Sequence, residues 1–131
     1  MRVHIISIGD ELLIGQTINT NAAWMGKELS AVGAAIDECS VIQDKREDIE
    51  NTLSLALEKG ADMVLITGGL GPTKDDITKT VLADFFETTL EMDDAVLEHV
   101  KSYFVARNRE MLQVNIDQAL LPKDCQVLHN A

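Results

Sequence analysis

The sequence predicts an α/β domain built on a parallel sheet. Three short apolar runs, at residues 3–8, 34–42 and 63–67, are separated by segments whose apolar residues recur every three or four positions. This alternation is typical of a parallel sheet, because each connection between parallel strands needs a crossover that is usually a helix. The length of 131 residues fits one domain spanning 1–131, since most domains have ~100 to 150 residues.

Capping residues and glycine stops predict the first two helices. The first begins near Asn19 or Thr20, both of which can accept hydrogen bonds from free helix N–H groups, and it ends at Gly33. The second begins around residues 46–47 and ends at Gly60. Each helix therefore returns the chain to a new strand after a glycine.

The second half of the chain is predicted to hold two more helices and two short strands. A third helix begins at Asp75 or Asp76 and runs through Phe85. A fourth carries apolar residues at regular helical spacing, namely Met92, Val96, Val100 and Phe104. Residues 88–92 form an edge strand, and residues 119–128, interrupted by Pro122, form an irregular segment followed by a final strand.

Composition excludes several classes of partner and site. Eleven basic residues stand against 22 acidic ones, and the net charge of −11 would repel nucleic acid and anionic membranes. Cys39 and Cys125 lack the spacing of a zinc site and are expected to be reduced thiols. The apolar stretch at residues 3–8 is too short to span a membrane and has no signal-peptide cleavage site, so a cytoplasmic location is expected.

The segment TGGLGPTKDD, at residues 67–76, is the richest candidate for chemistry. It follows an apolar strand and contains Gly68, Gly69 and Gly71, which allow backbone N–H groups to approach a ligand closely. It is neither a P-loop, which needs Lys directly after its last Gly, nor a dinucleotide-binding GxGxxG motif. The pattern indicates a phosphate-binding site.

Carboxylates follow each of the three predicted strands. Asp75 and Asp76 lie beside the predicted phosphate-binding site, and two carboxylates at such a position favour a bound cation such as Mg²⁺. Capping of the third helix explains these two residues equally well. Asp10 and Glu11 follow the first strand, where an ordinary turn is the alternative, and Asp44 follows the second, where it could be a loop or capping residue. We expect these acids to converge, because the carboxyl ends of parallel strands share one edge.

Four segments together resemble one known family. They are GDELLIG at 9–15, NTN at 19–21, GGLGPTKDD at 68–76 and QALLP at 118–122. The chain resembles the CinA-type (competence/damage-inducible protein A) amino-terminal domain of the molybdenum-cofactor-biosynthesis domain superfamily. This resemblance implies a three-layer α/β domain with a mostly parallel central sheet, a ligand cleft above the sheet and assembly into a homo-oligomer. It further implies molybdopterin binding in the superfamily and, in the CinA-type branch, metal-dependent hydrolysis of ADP-ribose.

The resemblance and the chemistry of the acids together give three sets of candidate site residues. The candidate catalytic residues are Glu11 and Asp76. The candidate ligand-binding residues are Gly9, Asn19, Asn21, Thr67, Gly68, Gly69, Gly71, Pro72, Thr73 and Lys74. The candidate ligands of a divalent metal are Asp10, Asp44, Asp75 and Asp76. Lys74 stands where many relatives have His, and relatives continue past position 131 through a GTAPG-like loop, so a truncated cleft is expected.

Three functions are compatible with these residues. The leading hypothesis is metal-dependent hydrolysis of the pyrophosphate bond of ADP-ribose or a related nucleotide diphosphate, which gives AMP and ribose 5-phosphate. In it the glycines hold the diphosphate, a metal neutralises developing charge and Glu11 or another acid orients water. The alternatives are a molybdopterin- or pterin-binding module without turnover and an oligomerisation domain without activity.

Overall fold

The computed structural model describes residues 1–129, which divide into two compact units. The first unit comprises Met1–Leu70 and Asp75–Thr78, and the second comprises Gly71–Lys74 and the chain from Lys79 onward. The expected single domain over 1–131 stays a prediction. No helix within residues 1–129 is long and apolar enough to cross a membrane.

The first unit contains a parallel sheet. Its strands are β1 (Arg2–Ile8), β2 (Ala35–Ile42) and β3 (Met63–Thr67). They are ordered β2-β1-β3, and Ile5 of β1 lies opposite Cys39 of β2 and Leu65 of β3. The predicted α/β class with a parallel sheet is confirmed, because the three apolar runs form strands that pair in parallel.

Helices connect these strands. They are α1 (Asp10–Leu13), α2 (Thr20–Ala31) and α3 (Arg46–Glu58). The structure confirms α2 and α3, and Asn19 caps α2 by accepting a hydrogen bond of 3.2 Å from the Ala22 N–H on its Oδ1. The short α1 was not predicted, because four residues are too few to show a helical period.

The core of the first unit surrounds β1. Residues 3–8 of this strand are each no more than 4% exposed, so both of its faces are covered. On one face Val3 and Ile5 pack with Ala34 against side chains of α2, namely Ala22, Met25 and Leu29. Helix α3 contacts β1 and β2 and buries Ile49, Leu53 and Ala56. The sheet is therefore packed between helices. Both faces of β1 are covered, so a ligand can reach this strand only at its ends.

An ionic cluster lies at the amino end of β1. The Arg2 guanidinium donates to the Asp37 carboxylate, and His4 Nε2 lies 3.4 Å from Asp37 Oδ2. The hydrogen bond from Arg2 lowers the pKa of Asp37, and the contact with His4 lowers it further. This cluster is at the opposite end of the strand from the predicted site.

The second unit contains helices and a two-stranded antiparallel ribbon. The helices are α4 (Thr78–Phe85, whose first residue belongs to the first unit), α5 (Asp94–Ala106) and α6 (Gln113–Ile116), and the strands are β4 (Leu90–Met92) and β5 (Leu120–Pro122). The Lys79 ammonium group donates to the backbone carbonyl oxygens of Asp117, Gln118 and Leu120 at 2.9 to 3.2 Å. These bonds fix the segment that leads into β5.

Three boundaries in the second half differ from the prediction. Helix α4 begins at Thr78, not at Asp75 or Asp76, so the predicted helix start is wrong and neither aspartate directly precedes the helix. The reason is tertiary. The N–H of Ile77 bonds to the Asp44 carboxylate, and the N–H of Thr78 donates to the Gly69 carbonyl oxygen at 3.2 Å. These bonds hold the preceding residues out of a helix.

The other two differences concern the ribbon. Met92, predicted to lie in the fourth helix, pairs opposite Leu120 in β4, because the Asp93 side chain caps α5 through the Val96 N–H at 2.8 Å. The predicted final strand within residues 119–128 exists, but it lies at the start of this range, since β5 ends at Pro122, which pairs opposite Leu90. Proline lacks the N–H needed to continue a ladder, so it is tolerated at this strand end.

Candidate ligand-binding cleft

A cleft lies at the carboxyl ends of β1 and β3. Because β1 is central, the chain changes direction across the sheet between these two strands, which is where open α/β sheets bind ligands. The cleft has a volume of about 170 Å³. Its lining residues are Ile8, Glu11, Leu12, Thr17, Ile18, Asn19, Thr20, Asn21, Thr67 and Gly68.

Half of these lining residues were predicted from the sequence. The structure brings together Glu11, Asn19, Asn21, Thr67 and Gly68 as expected. Sequence reasoning missed Thr17 and Thr20, although their positions beside the NTN segment are a signal that could have found them. Of the other predicted ligand-binding residues in the first unit, Gly9 and Gly69 do not line this cleft.

Two asparagines attach the start of α2 to the sheet. The Asn19 Nδ2 donates to the buried Ser7 Oγ at 2.9 Å while its Oδ1 caps the helix. The Asn21 Nδ2 donates to Thr67 Oγ1 at 3.4 Å. These bonds place one amide beside β1 and the other beside β3, which forms a polar wall for the cleft.

The glycine loop, residues 67–70, takes a path that only glycine permits. Gly68 has φ +98°, and a Cβ added there would lie 2.0 Å from the Ile8 carbonyl oxygen at the end of β1. Gly69 has φ +60°, and its Cβ would lie 2.1 Å from Thr78 Oγ1 and 3.1 Å from both carboxylate oxygens of Asp44. The loop therefore leaves β3, crosses the end of β1 and reaches the segment that follows β2.

Thr78 supports this loop and was not predicted as a site residue. Its side chain is 1% exposed, its Oγ1 donates to the Gly68 carbonyl oxygen at 3.1 Å and its N–H donates to the Gly69 carbonyl oxygen at 3.2 Å. A lone threonine at a helix start carries no pattern that sequence reasoning could have used.

Asp44 lies against Gly69 and interacts electrostatically with three other acids. Among residues 1–129, the Asp44 Oδ1 is a buried side-chain atom without a hydrogen-bond partner. Burial raises the pKa of Asp44, the charges of Asp76, Asp10 and Asp75 raise it further, and the hydrogen bond from the Ile77 N–H opposes the rise. Asp10, Asp75 and Asp76 therefore act electrostatically on Asp44, and the predicted convergence of the five acids on one site stays a prediction.

The acids do not form a preorganised metal site. Within the described range, no three His, Cys, Asp or Glu side chains are placed to hold a metal ion. The buried Asp44 Oδ1, which has no hydrogen-bond partner, is nevertheless an oxygen that could coordinate a cation. Carboxylate oxygens are ligands that Mg²⁺ prefers, so the chemistry of Asp44 fits a divalent metal. A metal bound by Asp10, Asp44, Asp75 and Asp76 stays a prediction.

The other predicted ligand-binding residues have different surroundings. The Gly9 N–H donates to the Ile42 carbonyl oxygen at 3.0 Å, which joins the ends of β1 and β2. Four further candidates belong to the second unit and are exposed, namely Gly71, Pro72, Thr73 and Lys74. Their contact with a ligand stays a prediction.

Sequence comparisons identify relatives over almost the whole chain. A family model described as "Probable molybdopterin binding domain" matches residues 4–122. A CinA-like protein of Flavobacterium psychrophilum is 46% identical over 134 residues, which cover 99% of this chain and 31% of that protein. A CinA-like protein of Salinibacter ruber is 45% identical, with 99% of this chain and 31% of the relative covered. The chain thus spans about a third of the length of these curated relatives.

Solved structures agree with this assignment. CinA of Thermoplasma acidophilum, a protein of unknown function, has a TM-score of 0.86 and 31% identity, with 98% of this chain and 75% of that chain covered. The molybdopterin biosynthesis enzyme MoaB of Thermus thermophilus has a TM-score of 0.59 and 19% identity, covering 92% of this chain and 78% of that chain, and supports the fold alone. The chain belongs to the molybdopterin-binding domain family and, within it, to the CinA-like proteins.

Proposed function

We propose that this domain binds a pterin-type small molecule, such as molybdopterin, in the cleft at the ends of β1 and β3. The observation that carries this proposal is the polar character of the cleft wall, whose lining residues include Glu11, Thr17 and Asn21, a carboxylate, a hydroxyl and an amide residue. A pterin ring presents N–H donors beside carbonyl and ring-nitrogen acceptors. A carboxylate can accept from the donors, and an amide can pair with the acceptors.

The size of the cleft indicates which part of the ligand it holds. Its volume of about 170 Å³ is below the range of ~300 to 1,000 Å³ that is usual for drug-sized ligands. One ring system fits there, and the rest of the ligand extends over the glycine loop. Because molybdopterin carries a phosphate, a loop at which N–H groups approach closely suits its other end.

Fluorescence titration of a pterin that bears a side-chain phosphate tests this function. We expect saturable binding, and Glu11→Gln should weaken it about tenfold or more, because a hydrogen bond to a charged group contributes ~1.5 to 3 kcal/mol. Glu58→Gln is the matched control, since Glu58 is exposed at the last turn of α3, away from the cleft. Absence of binding by the unmodified protein, or equal effects of the two substitutions, would contradict the proposal.

A second candidate is metal-dependent hydrolysis of ADP-ribose or a related nucleotide diphosphate. The observation that favours it is the buried Asp44 Oδ1 without a partner, with the charges of Asp10, Asp75 and Asp76 around that carboxylate. Asp44 with some of these acids would hold a divalent cation such as Mg²⁺, which supplies charge neutralisation for a diphosphate. Glu11 and Asp76 are the groups proposed to orient water.

Product analysis separates the two candidates. The protein is incubated with ADP-ribose and Mg²⁺ or Mn²⁺, and AMP and ribose 5-phosphate are measured with and without a chelator. Hydrolysis predicts metal-dependent AMP release that is lost in Asp44→Asn. If no AMP appears while the pterin binds, the hydrolytic candidate fails and the binding function stands.

A further inference from the structure

We infer that Thr78 is a positioning residue that turns two backbone N–H groups of the glycine loop, those of Gly69 and Leu70, toward an anionic group of the ligand. This inference rests on the proposed ligand-binding function, which it deepens by assigning the anion contact to these N–H groups. Nothing in the sequence pattern singles out Thr78.

Thr78 holds two successive carbonyl groups of the loop. Its hydroxyl donates to the Gly68 carbonyl oxygen at 3.1 Å and its own N–H donates to the Gly69 carbonyl oxygen at 3.2 Å. The side chain is 1% exposed, so water does not compete for the hydroxyl. Both carbonyl oxygens are therefore directed to the same side, toward Thr78.

The planar trans peptide then fixes the direction of the N–H groups. The Gly68 carbonyl shares a peptide plane with the Gly69 N–H, and the Gly69 carbonyl shares one with the Leu70 N–H. Within a trans peptide the C=O and N–H bonds point in opposite directions, so both N–H groups are directed away from Thr78. Within residues 1–129, neither of them donates to a backbone carbonyl oxygen. Two adjacent N–H groups directed to one side attract an anion.

The Thr78 hydroxyl is needed because the glycine loop is conformationally free by itself. Glycine has access to both signs of φ, so Gly68 and Gly69 can rotate their peptide planes at little cost when nothing restrains them. A rotated plane would turn a carbonyl oxygen, in place of an N–H, toward the ligand. Since Asp44 and the acids around it already repel an anion, that reversal would weaken binding of a phosphate.

Thr78→Val and Thr78→Ser test this role, because valine keeps the shape without the hydroxyl and serine keeps the hydroxyl. Thr80→Val, an exposed position on the same helix, is the matched control. Amide hydrogen exchange at residue 78 in the ligand-free protein reports the restraint of the loop. Titration with the phosphate-bearing pterin reports how much this restraint contributes to ligand affinity.

We expect Thr78→Val to exchange faster at residue 78 and to bind the phosphate-bearing pterin about tenfold more weakly, which corresponds to ~1.4 kcal/mol. Its affinity for the same pterin without phosphate should change little, and Thr78→Ser should restore both properties. A merely structural role would lower both affinities alike. Exchange and affinity of Thr78→Val equal to those of Thr80→Val would overturn the inference. If the unmodified protein binds neither pterin, the proposed function fails, and exchange at residue 78 alone decides whether Thr78 restrains the loop.

Discussion

At the scale of single residues, Gly68 and Gly69 determine where the glycine loop lies. The absence of a Cβ at Gly68 lets the loop pass against the Ile8 carbonyl oxygen, and the absence of one at Gly69 leaves room for Thr78 and Asp44. Glycine is therefore required here by close backbone approach in addition to positive φ.

Substitution at Gly68 should separate these two requirements. Gly68→Ala introduces a Cβ that would meet backbone at 2.0 Å, whereas Gly33→Ala at φ +82° meets open space. We expect Gly33→Ala to cost about 1 kcal/mol, from left-handed backbone strain alone, and Gly68→Ala to cost ~3 kcal/mol or more, because the clash adds to that strain. Urea denaturation measures both, and equal losses would show that the approach to Ile8 is unimportant.

The raised pKa of Asp44 predicts a charge that destabilises the folded protein. Because its folded pKa exceeds the unfolded value, the free energy of unfolding falls as pH rises from the unfolded value through the folded pKa. At neutral pH the ionised carboxylate is a net cost. Asp44→Asn should therefore raise Tm at pH 7, and the gain should shrink as pH falls toward ~4, near the ordinary aspartate pKa.

Asp37 is the control of opposite sign for this pH dependence. Its pKa is lowered, mainly by the hydrogen bond from Arg2, so its contribution to stability is present above the unfolded pKa and is lost as pH falls through the folded one. Asp37→Asn should lower Tm at pH 7 and have little effect in acid. Thermal melts from pH 3 to 8 measure both variants. Shifts of the same sign at pH 7 would refute the electrostatic assignment for Asp44.

At the scale of elements, α2 and α5 have the same kind of cap with different surroundings. Asn19 accepts from the Ala22 N–H and also binds Ser7 in the cleft wall, whereas Asp93 accepts from the Val96 N–H in the second unit. Asn19 at the start of α2 therefore both caps the helix and lines the cleft.

Removing each cap should distinguish these roles. Asn19→Ala and Asp93→Ala should each cost ~0.5 to 2 kcal/mol of stability, because each leaves a helix N–H without its side-chain acceptor. Only Asn19→Ala should also weaken pterin binding, since Asn19 lines the cleft. Chemical denaturation and the fluorescence titration measure the two effects. Unchanged affinity in Asn19→Ala would exclude this wall from the binding site.

At the scale of the whole molecule, the net charge of −11 opposes the approach of a phosphate-bearing ligand. The Debye length falls from ~30 Å at 0.01 M salt to ~8 Å at 0.15 M, so added salt screens this repulsion. In a chelator, affinity for the phosphate-bearing pterin should rise severalfold over that range, and the pterin without phosphate should respond little. A steady loss of affinity with salt would show that local positive contacts outweigh the overall charge.

Local sequence patterns were enough to predict several parts of this fold. Apolar runs and caps gave three parallel strands and helices α2 and α3, and the glycine motif indicated the segment that forms the loop. These features depend on neighbours a few residues apart. The same patterns, read with the resemblance to the family, identified five residues of the cleft wall.

Contacts between residues far apart in the sequence became visible only in the folded structure. Asp44 lies against Gly69 and accepts from the Ile77 N–H, Thr78 holds the glycine loop, and α4 consequently starts two to three residues later than its local sequence predicts. Glu11 lines the cleft, whereas the charge of Asp10, its neighbour in sequence, acts on Asp44. Residues far apart in sequence are brought together by strand pairing and helix packing, and the energies of those contacts leave no local periodicity in the chain.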